Sequence, residues 1–205
     1  MQQRISEVFG GQLLLTAAVL ARDWATARTQ CRRGGLEGTL AYFAIEKRDI
    51  LLSYIIDGIR TNQQVGRQTS RGIELALVGR PTASLTIHGD VAVTGASFED
   101  FVEVVNNVNF DRSGNTPRNV PRVIWNISPT QRLGPFDISA TVRQVGERWA
   151  DNANSRRVGG FTTADAAVSY RFLRGARLTL RGRNLTDRIY TQSTSNTAAR
   201  LEMPR

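Results

Sequence analysis

Among 205 residues the chain carries one cysteine, Cys31, and one histidine, His88. A single cysteine excludes an internal disulfide. One Cys and one His cannot supply three metal ligands at usable spacing. A thiol nucleophile would need a base beside it, and His88 falls within a predicted strand among small and apolar neighbours. It reads as a polar-face residue. A hydrolytic enzyme would want a Ser–His–carboxylate constellation, and none is legible, so no catalytic, metal or cofactor-binding residue is assigned and no enzyme is expected. Neither GxxxxGK nor GxGxxG occurs, so Gly34-Gly35 and Gly159-Gly160 read as turns. No run of eighteen apolar residues exists, which excludes a transmembrane helix. That absence leaves a membrane open. A barrel strand needs only about 9–11 residues, with apolar side chains on alternate positions.

Positive charge is what the chain has in excess. Lys and Arg number 27 against 18 Asp and Glu, a formal net charge of +9. Such a balance suits nucleic acid, acidic glycan or an anionic membrane surface. A nucleic-acid face would gather the basic residues and interleave them with aromatics. Here they are almost all arginine, spread along strands and turns, with only short clusters at Arg32-Arg33 and Arg156-Arg157. Lumen-facing and loop charges explain that dispersion, and no nucleic-acid partner is expected. A basic soluble β-sheet protein binding nucleic acid or acidic glycan is the alternative.

Residues 1–34 form an atypical first segment. Their apolar run Leu13–Ala21 fits a strand, a short helix or a signal-peptide core. Arg4 is offset by Glu7, so the basic start of a signal is lacking, and a strand or irregular edge is preferred. From Leu36 the period is two. Leu36, Gly38, Leu40, Tyr42 and Ala44 share a face, and Asp49 to Ile56 is a second, more uniformly apolar run. Alternation recurs at 73–78, 85–94, 123–128, 136–143, 163–172 and 177–183, the half-buried strand pattern. Asp137, Arg143, Asp165, Arg171, Arg177, Arg181 and Arg183 all take polar-face positions.

Connections alternate in length. Tight turns are expected at Gly79–Thr82, Leu133–Pro135 and Leu173–Gly175, and long polar loops at Ser97–Pro121, Ala150–Gly160 and from Asp187 onward. Short turns on one end and long loops on the other is the rhythm of a membrane barrel. Trp125, Phe136, Trp149, Tyr170 and Phe172 flank strands, as interfacial aromatics do. Asn106–Thr116 reads as a polar loop.

The closing segment Gly182-Arg183-Asn184-Leu185-Thr186-Asp187-Arg188-Ile189-Tyr190 resembles the penultimate-strand region of TonB-dependent outer-membrane receptors. In that family an Asn-Leu-Thr-Asp or Asn-Leu-Phe-Asp stretch, a basic residue and Tyr follow an alternating strand. Asn and Asp bond the backbone locally and end a strand. Ser70-Arg71-Gly72-Ile73-Glu74-Leu75, Asn119-Val120-Pro121-Arg122 with Trp125-Asn126, and Leu40 to Ile50 running into a Lys/Arg-Asp turn resemble further family segments.

The resemblance covers about residues 36–205. It implies an all-β fold: an antiparallel up-and-down meander forming part of a transmembrane β-barrel, here incomplete at about nine or ten strands against about 22. It implies domains of 1–34, the atypical segment, and 35–205, the partial barrel. It implies the cell outer membrane, with membrane lipid, the TonB inner-membrane complex in the full-length parent, and a ferric siderophore or similar scarce ligand as partners. Plug and TonB box are not read here. The chain stops at Met203-Pro204-Arg205, where family members continue through a last strand to a terminal aromatic. The expectation is a receptor piece truncated at both ends and not transport-competent alone, with ligand-binding residues unassigned.

Overall fold

The computed structural model describes residues 12–21, 24–173, 175–194 and 199–202. Every regular element among them is a β-strand. Nine form the main sheet: β1 (Gln12–Ala21), β2 (Trp24–Arg33), β3 (Leu36–Ile56), β4 (Ile59–Thr82), β5 (Leu85–Asp100), β8 (Val123–Leu133), β9 (Phe136–Val145), β12 (Phe161–Leu173) and β13 (Ala176–Gly182). Three two-stranded ribbons occupy connections: β6 (Val102–Val105) with β7 (Val108–Asp111), β10 (Arg148–Trp149) with β11 (Arg157–Val158), and β14 (Tyr190–Thr194) with β15 (Ala199–Glu202).

Spatial order in the sheet follows chain order, and each neighbouring pair is antiparallel. This is the expected meander. β1 and β13 stand at its two ends, so the sheet is open. Of the three readings of the first segment, strand is the one found in its described part. β1 pairs with β2 from Gln12↔Arg32 to Ala21↔Trp24, and β2 continues onto β3 through the Gly34-Gly35 turn. Residues 1–11, Arg22-Asp23, Arg174 in the last turn and Met203-Pro204-Arg205 lie outside the described residues.

Register turns local alternation into two continuous faces. Tyr42, Ile73, Val93 and Val123 lie in one row across four strands, and Leu40, Leu75, Val91 and Trp125 in the next. Further along, Ile138, Val168 and Leu180 align, then Phe136, Tyr170 and Leu178. Because side chains alternate across a strand, the intervening rows face the other way. One of them reads Thr39, Ala76, Asp90, Asn126, Arg143 and Thr163. The apolar face is uncovered: Leu178 and Leu180 are 66% and 77% exposed. The Phe136 and Tyr170 rings stack on it at 4.8 Å. From Leu133, opposite Phe136, to Trp125 is a run of about 26 Å along β8 at a rise of roughly 3.3 Å per residue, close to the height of a barrel's apolar band.

Three expectations need correction. Lys47-Arg48-Asp49 is no turn. β3 runs through it and absorbs a β-bulge between Lys47↔Gln68 and Ile50↔Gly66, where Asp49 takes φ 56°. The run Asp49–Ile56 is thus the upper part of β3, and the chain reverses at Asp57-Gly58, both at positive φ, as a tight hairpin turn requires. β2 follows β3 only to Ile45 and β5 follows β4 only to Arg67, so the upper β3–β4 hairpin projects as a two-stranded arm. Second, Arg80-Pro81 sits in an irregularity of β4, and the turn falls at Ala83-Ser84. Third, Trp149 belongs to the β10–β11 ribbon, beneath the Arg157 guanidinium at 4.6 Å, and not to the sheet's apolar face.

One glycine is required by packing. Phe43 lies across Gly72 on the polar face, and a Cβ there would stand 2.5 Å from the Phe43 ring and from the Val93 carbonyl oxygen. The buried apolar side chains among the described residues are Leu52, Phe98, Val145 and Ala150, all toward the long-loop end. Among the described residues nothing forms a second layer over the middle of the sheet.

Candidate functional site: an arginine-lined recess on the polar face

On the polar face, at the long-loop end of β8, β9, β12 and β13, lies a recess of about 800 Å³. Its floor follows from strand alternation. Asn126 and Ile124 come from β8, Thr141 and Arg143 from β9, Phe161, Thr163 and Asp165 from β12, and Arg181 from β13, with Arg183 just beyond it. Its rim comes from the loops: Asn119, Arg148, Tyr190 and Gln192. Four arginines therefore face one carboxylate, Asp165. That carboxylate already accepts the Asn184 amide at 2.8 Å.

The Asn184-Leu185-Thr186-Asp187 segment builds this corner. Asn184 and Asp187 take φ 48° and 49°. Asn184 Oδ1 accepts from the Arg188 amide at 3.2 Å and the Thr186 hydroxyl at 3.1 Å, while its Nδ2 donates to the Arg188 carbonyl at 2.9 Å. The Leu185 amide donates to the Ala164 carbonyl at 2.7 Å. The motif ends β13 and folds the chain back over β12, as its side-chain chemistry predicts.

Arg148 is the most constrained member. It is 5% exposed, although its neighbours on the strand floor, Arg143, Arg181 and Arg183, are open to solvent. Its Nη2 donates to the Thr191 carbonyl and, at 3.2 Å, to that of Gln192. The guanidinium lies 5.9 Å from the centre of the Phe161 ring, which stacks on Tyr190 at 4.0 Å. Nη1 is buried without a hydrogen-bond partner. Burial works against the charge and lowers the Arg148 pKa, yet a guanidinium keeps its proton at physiological pH.

Asparagines tie the three loops above the recess. Asn119, at φ 62°, donates from Nδ2 to the Thr194 carbonyl at 2.7 Å and accepts the Thr194 amide at 2.8 Å. Asn154 makes the same double bond to the backbone of Thr116, at 2.9 and 2.8 Å. Asn152 accepts the Arg118 amide at 3.2 Å. Asp111 accepts the Ser113 hydroxyl at 2.6 Å and amide at 2.8 Å, which hold its pKa below the usual aspartate value. Burial pushes Asp151 up, but the Ser155 amide and hydroxyl and Arg156 outweigh it, and its pKa too is lowered.

The structure thus gathers Arg143, Asp165, Arg181 and Arg183 from the sequence-predicted polar-face charges. It places Asp137, Arg171 and Arg177 together at the other end, where Arg171 and Arg177 meet Asp137 at 3.3 and 2.5 Å. In the loop Asn106–Thr116, Asn106, Asn107 and Asn109 are exposed; Asn109 bonds the backbone amide and carbonyl of Ile55 at 2.8 and 2.9 Å, and the half-buried Asn115 bonds the Asn152 carbonyl at 2.8 Å. Cys31 pairs with Gly38 on the apolar face, whereas His88 pairs with Val78 and Ser128 on the polar face, so they form no dyad. Tyr190 was singled out only as the end of the Asn184 segment, and Arg148 and Gln192 escaped the sequence reading, since loop contacts carry no periodicity.

Residues 28–185 match the family model described as TonB dependent receptor-like, beta-barrel. An uncharacterized TonB-dependent receptor of Haemophilus influenzae is 28% identical over 180 residues, 82% of this chain and 51% of that protein. The ferrioxamine receptor of Yersinia enterocolitica is 26% identical over 65% of this chain and 19% of its own length. The chain therefore spans between a fifth and a half of these relatives. Among solved structures, the siderophore receptor PiuA from Acinetobacter baumannii superposes with a TM-score of 0.74 at 21% identity, covering 89% of this chain and 27% of that one. The ferric citrate transporter FecA gives 0.69 at 19% identity over 89% of this chain and 29% of its own.

Proposed function

Since the chain belongs to the TonB-dependent receptor β-barrel family, we propose that it forms part of the wall of an outer-membrane uptake receptor. Its apolar face meets lipid and its polar face lines the wet lumen. The ligand class is a ferric siderophore or similar scarce iron chelate, a reading supported by relatives named for ferrioxamine and ferric citrate. The energy comes through TonB, acting on the parent receptor. The observation that carries this reading is the uncovered apolar face, continuous in register across the strands and opposite a charged one. A soluble sandwich would bury that face on a second sheet. The basic soluble protein that binds nucleic acid or acidic glycan is not favoured by family membership. Among the described residues no strand pairs with the outer edge of β1 or of β13, and a membrane barrel closes such edges with further strands, so uptake is proposed for the parent receptor and not for this sheet alone.

Expression and fractionation test the placement. The chain is expected in the membrane fraction and to need detergent for extraction. Recovery as a soluble monomer with a cooperative melt overturns it.

A further inference from the structure

We propose that the arginine-lined recess is a binding site for a small polyanion carrying two or more carboxylate or similar oxyanion groups. This deepens the uptake reading, on which it rests for a water-filled polar face, by assigning a ligand chemistry to particular residues.

At the short-turn end the polar-face arginines have acidic partners: Arg132, Arg171 and Arg177 surround Asp137, and Arg32 and Arg80 meet Glu37 at 2.7 and 2.9 Å. In the recess, Arg143, Arg181 and Arg183 have no ion pair among the described residues, and Asp165 is engaged by a backbone amide. The buried charge of Arg148 adds to theirs. Its Nη2 is fixed on two carbonyls, and among the described residues no carboxylate meets it. Four guanidinium groups and one carboxylate leave a recess with a net charge of about +3, beside the apolar wall of Phe161 and Tyr190.

Gathering like charges without counter-charges costs stability unless an anion completes them. Guanidinium forks suit carboxylate and related oxyanions, which they hold in bidentate fashion. The volume, about 800 Å³, is that of a small-molecule site. The loops at Arg148 and Tyr190–Gln192 bound it, which favours a compact ligand over an extended acidic segment of polypeptide.

The test uses the full chain folded in detergent micelles, with citrate as the polycarboxylate probe, glycerol as the neutral control and a tetraglutamate peptide as the polypeptide control. Isothermal titration is expected to show saturable citrate binding that weakens with added salt, and none for glycerol. Arg181→Gln and Arg183→Gln each lower citrate affinity about tenfold, the effect of one charge-assisted hydrogen bond. Arg177→Gln, which removes the same charge from the other end, leaves it unchanged. Failure of folded protein to bind citrate, an equal loss in Arg177→Gln, or tetraglutamate binding more tightly than citrate would each overturn the proposal. Fractionation and titration fail separately: a chain that inserts without binding citrate refutes the recess alone, and one that binds citrate but stays soluble refutes the membrane reading alone.

Discussion

At the short-turn end of the sheet, two-residue turns join the strands and Asp137 is met by three arginines. At the long-loop end, three ribbons and a set of asparagines build a small knot that holds the buried apolar side chains Phe98, Val145 and Ala150. The first end is held by backbone ladders and surface charge. The second is held as a soluble protein is, by packing and by side chains that satisfy loop amides. The difference teaches that a sheet without a core of its own can position a site only where its loops supply one. The arginine recess lies at that place.

The comparison breaks most visibly on the apolar face. Val168, between Ile138 and Leu180, is expected to meet lipid. Val168→Arg should lower stability by about 2–4 kcal/mol in urea titrations of vesicle-inserted protein. Ser139→Arg, on the polar face opposite Thr130 and Ala167, should change stability by no more than about 0.5 kcal/mol. Equal costs would mean that neither face meets lipid.

Next comes the knot. Asn119→Ala removes the donor and the acceptor that hold Thr194. Leaving those groups unsatisfied costs about 1–3 kcal/mol. Amide exchange should quicken at residues 190–194 while β3 to β5 stay protected. Exchange that rises uniformly would show that the loop end is not an independent unit.

Asp137→Asn probes the opposite end. Its arginines are largely exposed, so the loss should reach about 1 kcal/mol at most and shrink in high salt. A larger, salt-independent change in the urea midpoint would make the short-turn end more than a solvated charge cluster.

The smallest effect is one of pH. Asp111 and Asp151 have lowered pKa values in the folded loops. The unfolded chain therefore binds their protons more readily, and stability rises with pH where they titrate. Their contribution is complete above the ordinary aspartate value of 3.8 and fades as pH falls through the lower folded values. Proteolysis of the loops should quicken only under such acid conditions. Quickening between pH 5 and 8 would assign the loops to other groups.

Much of the wall was legible because period two is local. Alternation at 85–94 and 136–143 reports both faces without any knowledge of partners. The Asn184 turn was legible for the same reason, since its bonds run to Thr186 and Arg188. The bulge at Asp49 was not. Lys47-Arg48-Asp49 has the composition of a turn, and only the pairing of Lys47 with Gln68 and Ile50 with Gly66 decides otherwise. The recess was half legible. Arg143, Asp165, Arg181 and Arg183 follow from alternation, whereas Arg148 gains its role from carbonyls at Thr191 and Gln192, over forty residues away.

The clamp between Asn119 and Thr194 joins groups 75 residues apart. Each strand of the meander pairs with the strand before it in the chain, so hairpins can form one after another at modest loop-closure entropy. The clamp has no such order: it requires β8 to β13 to be in place first. It should therefore mature last in refolding, as a kinetic seal that makes the late hairpins cooperative with the earlier ones.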